Sequence, residues 1–357
     1  MSNQNMKAIV IHAAGDLRID EVDIPAPSDG EVLIKVEWGG ICGSDVAYVS
    51  TGASGTAVLK EPLVLGHEIA GRVAALGDGV TSVAVGDPVT VFPATLVGDG
   101  RMPDRLAGRH NLYPRVRYFG SAAHDPHTDG GMSEYKLARE DQVVPLPPGL
   151  DTKRGALAEP LAVGVHAIHR AATVLAGGVN ERTILVNGAG PIGLLLMAAA
   201  MKLGAAEVIA ADLSQPALER ASAIGVHETV LIGEQELPED IELIFEASGS
   251  PRALGSVLGK VARGGVVVQV GNLPATPVEA VLGQLVTREV IWIGSYRFAD
   301  EMSEAVRLLA DGLHVDPIMS HEFHLDDAKE AFRVASDRST GASKVMISLG
   351  VDPDLTK

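Results

Sequence analysis

The run Thr183-Ile-Leu-Val-Asn187, followed at once by Gly188-Ala-Gly-Pro-Ile-Gly193, constrains the fold more than any other stretch of this chain. An apolar strand has to turn sharply into an apolar helix there. Gly188 permits the turn, Gly190 lets the backbone approach a pyrophosphate, and Gly193 lets helix pack on strand; Pro191 and Ile192 open the helix, whose N-terminus favours negative charge. Strands are then expected at 183–187, 207–211, 229–232, 241–247, 265–271 and 291–294, with helices at 161–171, 191–203 and 215–224. Such alternation specifies an α/β domain with a parallel, doubly wound sheet. Asp212 ends the second strand, 19 residues after Gly193, and no Lys or Arg lies between it and Glu219. A carboxylate there accepts hydrogen bonds from ribose hydroxyls and repels a 2′-phosphate, so NAD is the expected cofactor.

The pattern before residue 155 or so is different. Short strands are expected at 7–10, 31–38, 73–76 and 88–92, separated by close turn signals, which suggests a compact, mostly-β domain. Gly39-Gly40 is expected to break the strand before Cys42. After the alternating region, helices at 300–313 and 325–335 and a strand at 344–348 are expected to return to the first domain. The division is therefore 1–157, 158–296 and 297–357, within a chain of 357 residues that has room for two cores.

Charge and composition narrow the partners. A net charge of −17 excludes nucleic acid, which needs clustered Lys and Arg. The longest helix-like apolar run, 192–201, is far short of the roughly 20 residues of a membrane span. Residues 1–7 show no apolar leader, and a single cysteine forms no internal disulfide, so the cytoplasm is the expected location.

That cysteine, Cys42, opens Cys42-Gly-Ser-Asp45; Gly66-His67-Glu68 follows twenty-five positions on, and Ala158-Glu159-Pro160 much later. A thiolate, an imidazole and carboxylates suit zinc, and a catalytic zinc takes three protein ligands with one position open. Cys42 and His67 are the first two; Glu68 and Glu159 compete for the third. Asp45 is a candidate to orient the His67 imidazole. His124 and His127 flank Asp125 in a Gly-rich loop, which reads as a solvated or substrate-facing loop ahead of a second metal site.

With these residues in view, the chain resembles the zinc-dependent medium-chain dehydrogenases along nearly its full length. The matching stretches are Gly39-Gly-Ile-Cys-Gly-Ser-Asp45, Leu65-Gly-His-Glu68, Ala158-Glu-Pro-Leu161 and Asn187-Gly-Ala-Gly-Pro-Ile-Gly193. Within that family it is similar to the polyol and sugar-acid branch, through Tyr118-Phe-Gly-Ser-Ala122, Pro126-His-Thr-Asp-Gly-Gly131 and Gly294-Ser-Tyr-Arg-Phe298. The resemblance implies a GroES-like catalytic domain beside a Rossmann cofactor domain and oxidation of a polyol or sugar acid at a secondary alcohol. It implies a homodimer or homotetramer, with the Val-rich strand 265–270 as a candidate for pairing. Cys42, His67 and Glu68 are implied to approach zinc, with Glu159 bound directly or through water. Ser44 matches the hydroxyl that relays the substrate proton, and Tyr48, Arg297 and Phe298 fall at positions lining the substrate pocket.

Departures also follow from the resemblance. Many relatives hold a second, structural zinc with four cysteines; here the approximate equivalents are Val97, Gly100, Pro103 and Tyr113, so one catalytic zinc alone is expected. Ala47 stands where some alcohol dehydrogenases carry a proton-passing histidine. Rival readings are an amino-alcohol dehydrogenase acting on threonine, a zinc-free NADPH reductase of the same fold, and a nucleotide-binding protein without turnover.

Overall fold

The computed structural model describes residues 5–274 and 276–350, so the expectation for residues 1–7 falls partly outside the described residues. The chain divides into two compact units, Met1–Glu159 with Met319–Lys357, and Pro160–Ile318.

The first unit is mostly β. Strands β1 (Asn5–Ala13), β2 (Asp16–Asp23) and β3 (Glu31–Gly40) precede helix α1 (Gly43–Thr51). Then come β4 (Leu63–Val64), β5 (Glu68–Leu76), β6 (Pro88–Val91), β7 (Ala94–Leu96), β8 (Val116–Tyr118), β9 (Tyr135–Arg139) and β10 (Val143–Pro145). The tail contributes β17 (Met319–His324), α7 (Ala328–Ser336) and β18 (Lys344–Ser348). The main sheet has seven strands in the order β10-β6-β5-β3-β18-β17, with β9 also on β3. A smaller sheet orders β2-β1-β4, and β7 pairs with β8. The core between them is aliphatic, including Ile9, Ile11, Ile34, Ile69, Val89 and Val345, with Phe332 of α7 packed in.

Gly39-Gly40 does not break β3. The strand runs through both glycines, and Gly40 pairs with Glu68 on one side and Met346 on the other. A Cβ on Gly40 would lie 2.2 Å from Glu68 Oε2 and 3.3 Å from the Lys344 side chain. Glycine is there to make room for side chains, not to turn the chain.

The second unit contains α2 (Ala158–Ala172, its first two residues assigned to the first unit), β11 (Thr183–Asn187), α3 (Pro191–Lys202), β12 (Glu207–Asp212), α4 (Gln215–Ala223) and β13 (Glu228–Leu231). It continues through β14 (Ile241–Glu246), α5 (Pro251–Lys260), β15 (Val261–Gln269), β16 (Ile291–Gly294) and α6 (Met302–Ala310). Six parallel strands order β13-β12-β11-β14-β15-β16. The direction of winding reverses between β11 and β14, the crevice where doubly wound sheets bind ligands. β11, β12 and β14 read as nearly continuous apolar runs because helices cover both faces. Residues 297–318 group with this unit, not with the returning tail, because α6 is tied to its helices: His166 bonds Glu301 and Lys202 donates to the Asp311 carbonyl. β15 has β14 on one side and β16 on the other, so the Val-rich strand is not open for pairing; the sheet edge there is β16. No described helix is long and apolar enough to cross a membrane.

Candidate active site

The metal-ligating candidates sit where β3, α1 and β5 meet. Cys42 is the N-cap of α1, and Asp45 accepts its amide hydrogen at 2.9 Å. The other Asp45 oxygen accepts from Gly66 N at 3.2 Å. One fully buried carboxylate thus ties the backbone beside Cys42 to the backbone beside His67. This revises the expected role of Asp45, whose hydrogen bonds go to main chain and not to the imidazole. Gly66 has φ +91°, and a Cβ there would lie 2.4 Å from the Met132 side chain, so the bend that aims His67 requires glycine.

Ligand atoms of Cys42, His67 and Glu68 all lie within 4.8 Å of one another. His67 Nδ1 is buried and makes no hydrogen bond. Burial disfavours a charged imidazole, yet the neighbouring Cys42, Glu159 and Asp45 outweigh it and push His67 up to about 10. A place where negative charge converges this strongly on a buried ring favours a cation equally, and sulfur, nitrogen and oxygen donors together fit zinc.

Glu159, in the first turn of α2, accepts a short hydrogen bond from the Tyr118 hydroxyl. The Tyr118 ring stands edge-on to His67, 5.5 Å between centroids. Burial raises Glu159 above the usual carboxylate range, as it does Asp45. Glu68 is held differently. Lys344 Nζ donates to its two oxygens at 2.7 and 2.6 Å and to the Ile41 carbonyl at 3.2 Å. Burial would depress Lys344, but Glu68 outweighs it and raises the ammonium.

Ser44 lies in the first turn of α1, half-buried. Tyr48, one turn on, is buried at 2 % exposure, and its hydroxyl accepts from Ala122 N at 2.9 Å. His124 and His127 are occupied by the loops they join. His127 Nε2 accepts from Lys60 N at 2.9 Å, which leaves its Nδ1–H to donate to the His124 carbonyl, and His124 Nε2 donates to the Val116 carbonyl. Val97, Gly100, Pro103 and Tyr113 lie around the β7–β8 hairpin, which backbone bonds such as Val97 N to Arg115 O close without sulfur.

The second unit carries the dinucleotide features. Gly188 has φ +107° and Gly190 is the N-cap of α3, with Pro191 and Ile192 in its first turn. A Cβ on Gly193 would meet Gly188 O at 1.9 Å, whereas one on Gly190 would meet nothing within 4 Å. Gly193 is needed for packing; Gly190 opens space before the helix N-terminus, as a pyrophosphate requires. Asp212, ending β12, accepts from Ala189 N at 2.7 Å and Ser214 N at 2.8 Å, so it braces the glycine turn and keeps lone pairs for a ribose. Arg297 has left-handed backbone, φ +51°, with its guanidinium 5.1 Å from the Tyr296 ring centre, while Phe298 is buried.

Two carboxylates escaped the sequence reading. Glu246, fully buried at the end of β14, accepts from Asn187, Ser248, Gly249 and Gln269, and so joins the carboxyl ends of three strands at the switch point. Glu301 accepts from His166 and from Ala299 N. For Glu246 the available signal was a charge closing the apolar run Leu243-Ile-Phe245.

Residues 28–148 match the alcohol dehydrogenase GroES-like domain family, and residues 191–311 match the zinc-binding dehydrogenase family. The sorbitol dehydrogenase of Bacillus subtilis (strain 168) is 35% identical over 96% of this chain and 97% of its own. The chain is a zinc-binding medium-chain dehydrogenase of the polyol branch. The dehydrogenase is also similar, at 35% identity over 88% of its length and 91% of the relative's, to the L-idonate 5-dehydrogenase (NAD(P)(+)) of Escherichia coli (strain K12). The crystal structure of L-idonate 5-dehydrogenase from Escherichia coli superposes with TM-score 0.89 at 32% identity, covering 97% and 99% of the two chains.

Proposed function

We propose that this dehydrogenase oxidises a secondary alcohol on a polyol or sugar acid and passes the hydride to NAD, with one catalytic zinc. The observation that carries the reading is the cluster of Cys42, His67 and Glu68 ligand atoms around a buried, unpartnered imidazole nitrogen. Cys42, His67 and Glu68 hold the metal, with Glu159 behind them fixed by Tyr118. Bound zinc supplies a Lewis acid that lowers the pKa of an alcohol oxygen, as it does that of water.

The chain's own groups do the rest. Ser44 accepts the hydroxyl proton and relays it. Tyr48 braces the 118–122 segment through Ala122 N. Arg297 presents a fork of donors to a substrate hydroxyl or carboxylate. Gly188, Gly190 and Gly193, with the α3 N-terminus, receive the pyrophosphate, and Asp212 takes the ribose hydroxyls, which supports NAD over NADP. The chemistry is set in the cytoplasm. Two copies pair through β16, an edge strand that begins with the exposed Ile291 and is preceded in the chain by the exposed Val281 and Val286.

A substrate panel tests the reading. NAD-dependent turnover on sorbitol-like polyols and aldonates, well above that on threonine or simple alcohols, is expected. Turnover on threonine alone would refute the polyol assignment, and NAD binding without any turnover would refute the enzyme reading.

A further inference from the structure

Left-handed backbone at a non-glycine residue persists only where the surroundings over-determine it. At Arg297 they do so from both sides. Upstream, Ser295 N donates to the Gln269 carbonyl at 2.9 Å, and the Gly294 carbonyl accepts from Arg170 Nε at 3.3 Å. Downstream, Ala299 N donates to Glu301 Oε2 at 2.6 Å, and Glu301 Oε1 accepts from His166 Nδ1 at 2.7 Å. His166 and Arg170 stand one turn apart on α2, so a single helix face grips both ends of the segment 295–299.

Helix-to-helix adhesion does not account for this arrangement. An apolar pair of similar size joins two helices as well as a buried carboxylate and imidazole do. A carboxylate adds something an apolar group lacks: it accepts the Ala299 amide, two residues from Arg297, and so fixes the backbone beside it.

We propose that Glu301, His166 and Arg170 are positioning residues for substrate selection: they clamp the segment 295–299 so that the Arg297 guanidinium is presented in one orientation. This rests on the reading of Arg297 as the substrate's hydrogen-bonding fork. The clamp acts on substrate affinity through the orientation of Arg297.

Steady-state kinetics on the zinc- and NAD-loaded enzyme tests it, using the best substrate of the panel, with Arg297→Ala, Glu301→Gln, Arg170→Met and the two doubles on Arg297→Ala. Arg297→Ala is expected to raise KM about tenfold or more. Glu301→Gln and Arg170→Met are each expected to raise KM roughly three- to tenfold, with kcat falling less than KM rises. On the Arg297→Ala background each adds less than about twofold, the coupling expected of groups that act through one another. Should Glu301→Gln fail to fold, Arg170→Met at the other end of the segment decides. Full multiplication of the KM effects in the doubles, or unchanged KM in both single clamp variants while Arg297→Ala raises it, overturns the clamp and spares Arg297. Unchanged KM in Arg297→Ala overturns the substrate role of that arginine and the clamp with it.

Discussion

In the proposed function Asp212 carries two duties on one carboxylate, bracing the glycine turn and receiving the ribose. Each oxygen already accepts a main-chain hydrogen, from Ala189 N and Ser214 N, and each retains capacity for a ribose hydroxyl. Asp212→Ser removes both the ribose acceptor and the repulsion of a 2′-phosphate. The ratio of kcat/KM for NADP to that for NAD should rise about tenfold, or about 1.4 kcal/mol. An unchanged ratio would strip Asp212 of its selective role. The Asp was legible because its distance from the glycine turn is fixed by one helix and one strand. Lys344 was not: its partner Glu68 is 276 positions away, and only the fold brings the two together. Breaking one side of so buried a pair costs about 3–5 kcal/mol, yet nothing in the local sequence Lys-Val-Met-Ile-Ser announces it. A separation of 135 positions likewise hid the contact of Glu301 with His166, and Asp45 was read as a ring partner because sequence does not tell a side-chain target from a main-chain one.

Among the elements, the β11–α3 turn separates two kinds of glycine. An added methyl at Gly193 collides with Gly188 O at 1.9 Å, while one at Gly190 enters open space. Gly193→Ala should therefore lower the melting temperature of the free protein as well as cofactor affinity. Gly190→Ala should leave the melting temperature within a degree or two and weaken NADH binding by about tenfold or more, read by fluorescence titration. Equal loss of stability in both variants would contradict this division of labour. The alternating strands and helices of the second unit were legible because a sheet covered on both faces writes itself as apolar runs between turns. The glycine pair at the end of β3 misled for a physical reason: glycine marks turns and also close approaches, and the Glu68 carboxylate that needs the space belongs to a different strand.

For the whole molecule, one edge of the six-stranded sheet is β16, and exposed apolar groups lie on it and in the chain that leads into it. Val281 and Val286 are 72 % and 77 % exposed, and Ile291 begins the edge strand itself. Light scattering of the wild-type protein should give a multiple of 37.1 kDa, and Val286→Lys with Ile291→Lys should reduce it to that value. A wild-type monomer would contradict pairing through this edge. The strand first considered for pairing, 265–270, lies inside the sheet, a fact of strand order that sequence periodicity does not contain. The most direct test of the chemistry is metal analysis of the purified dehydrogenase beside its Cys42→Ser variant, with circular dichroism to show that both are folded. About one zinc per chain is expected in the wild type, and little in the variant. Two zincs per chain, or zinc content and polyol oxidation undiminished by Cys42→Ser, would contradict a single metal held by Cys42, His67 and Glu68.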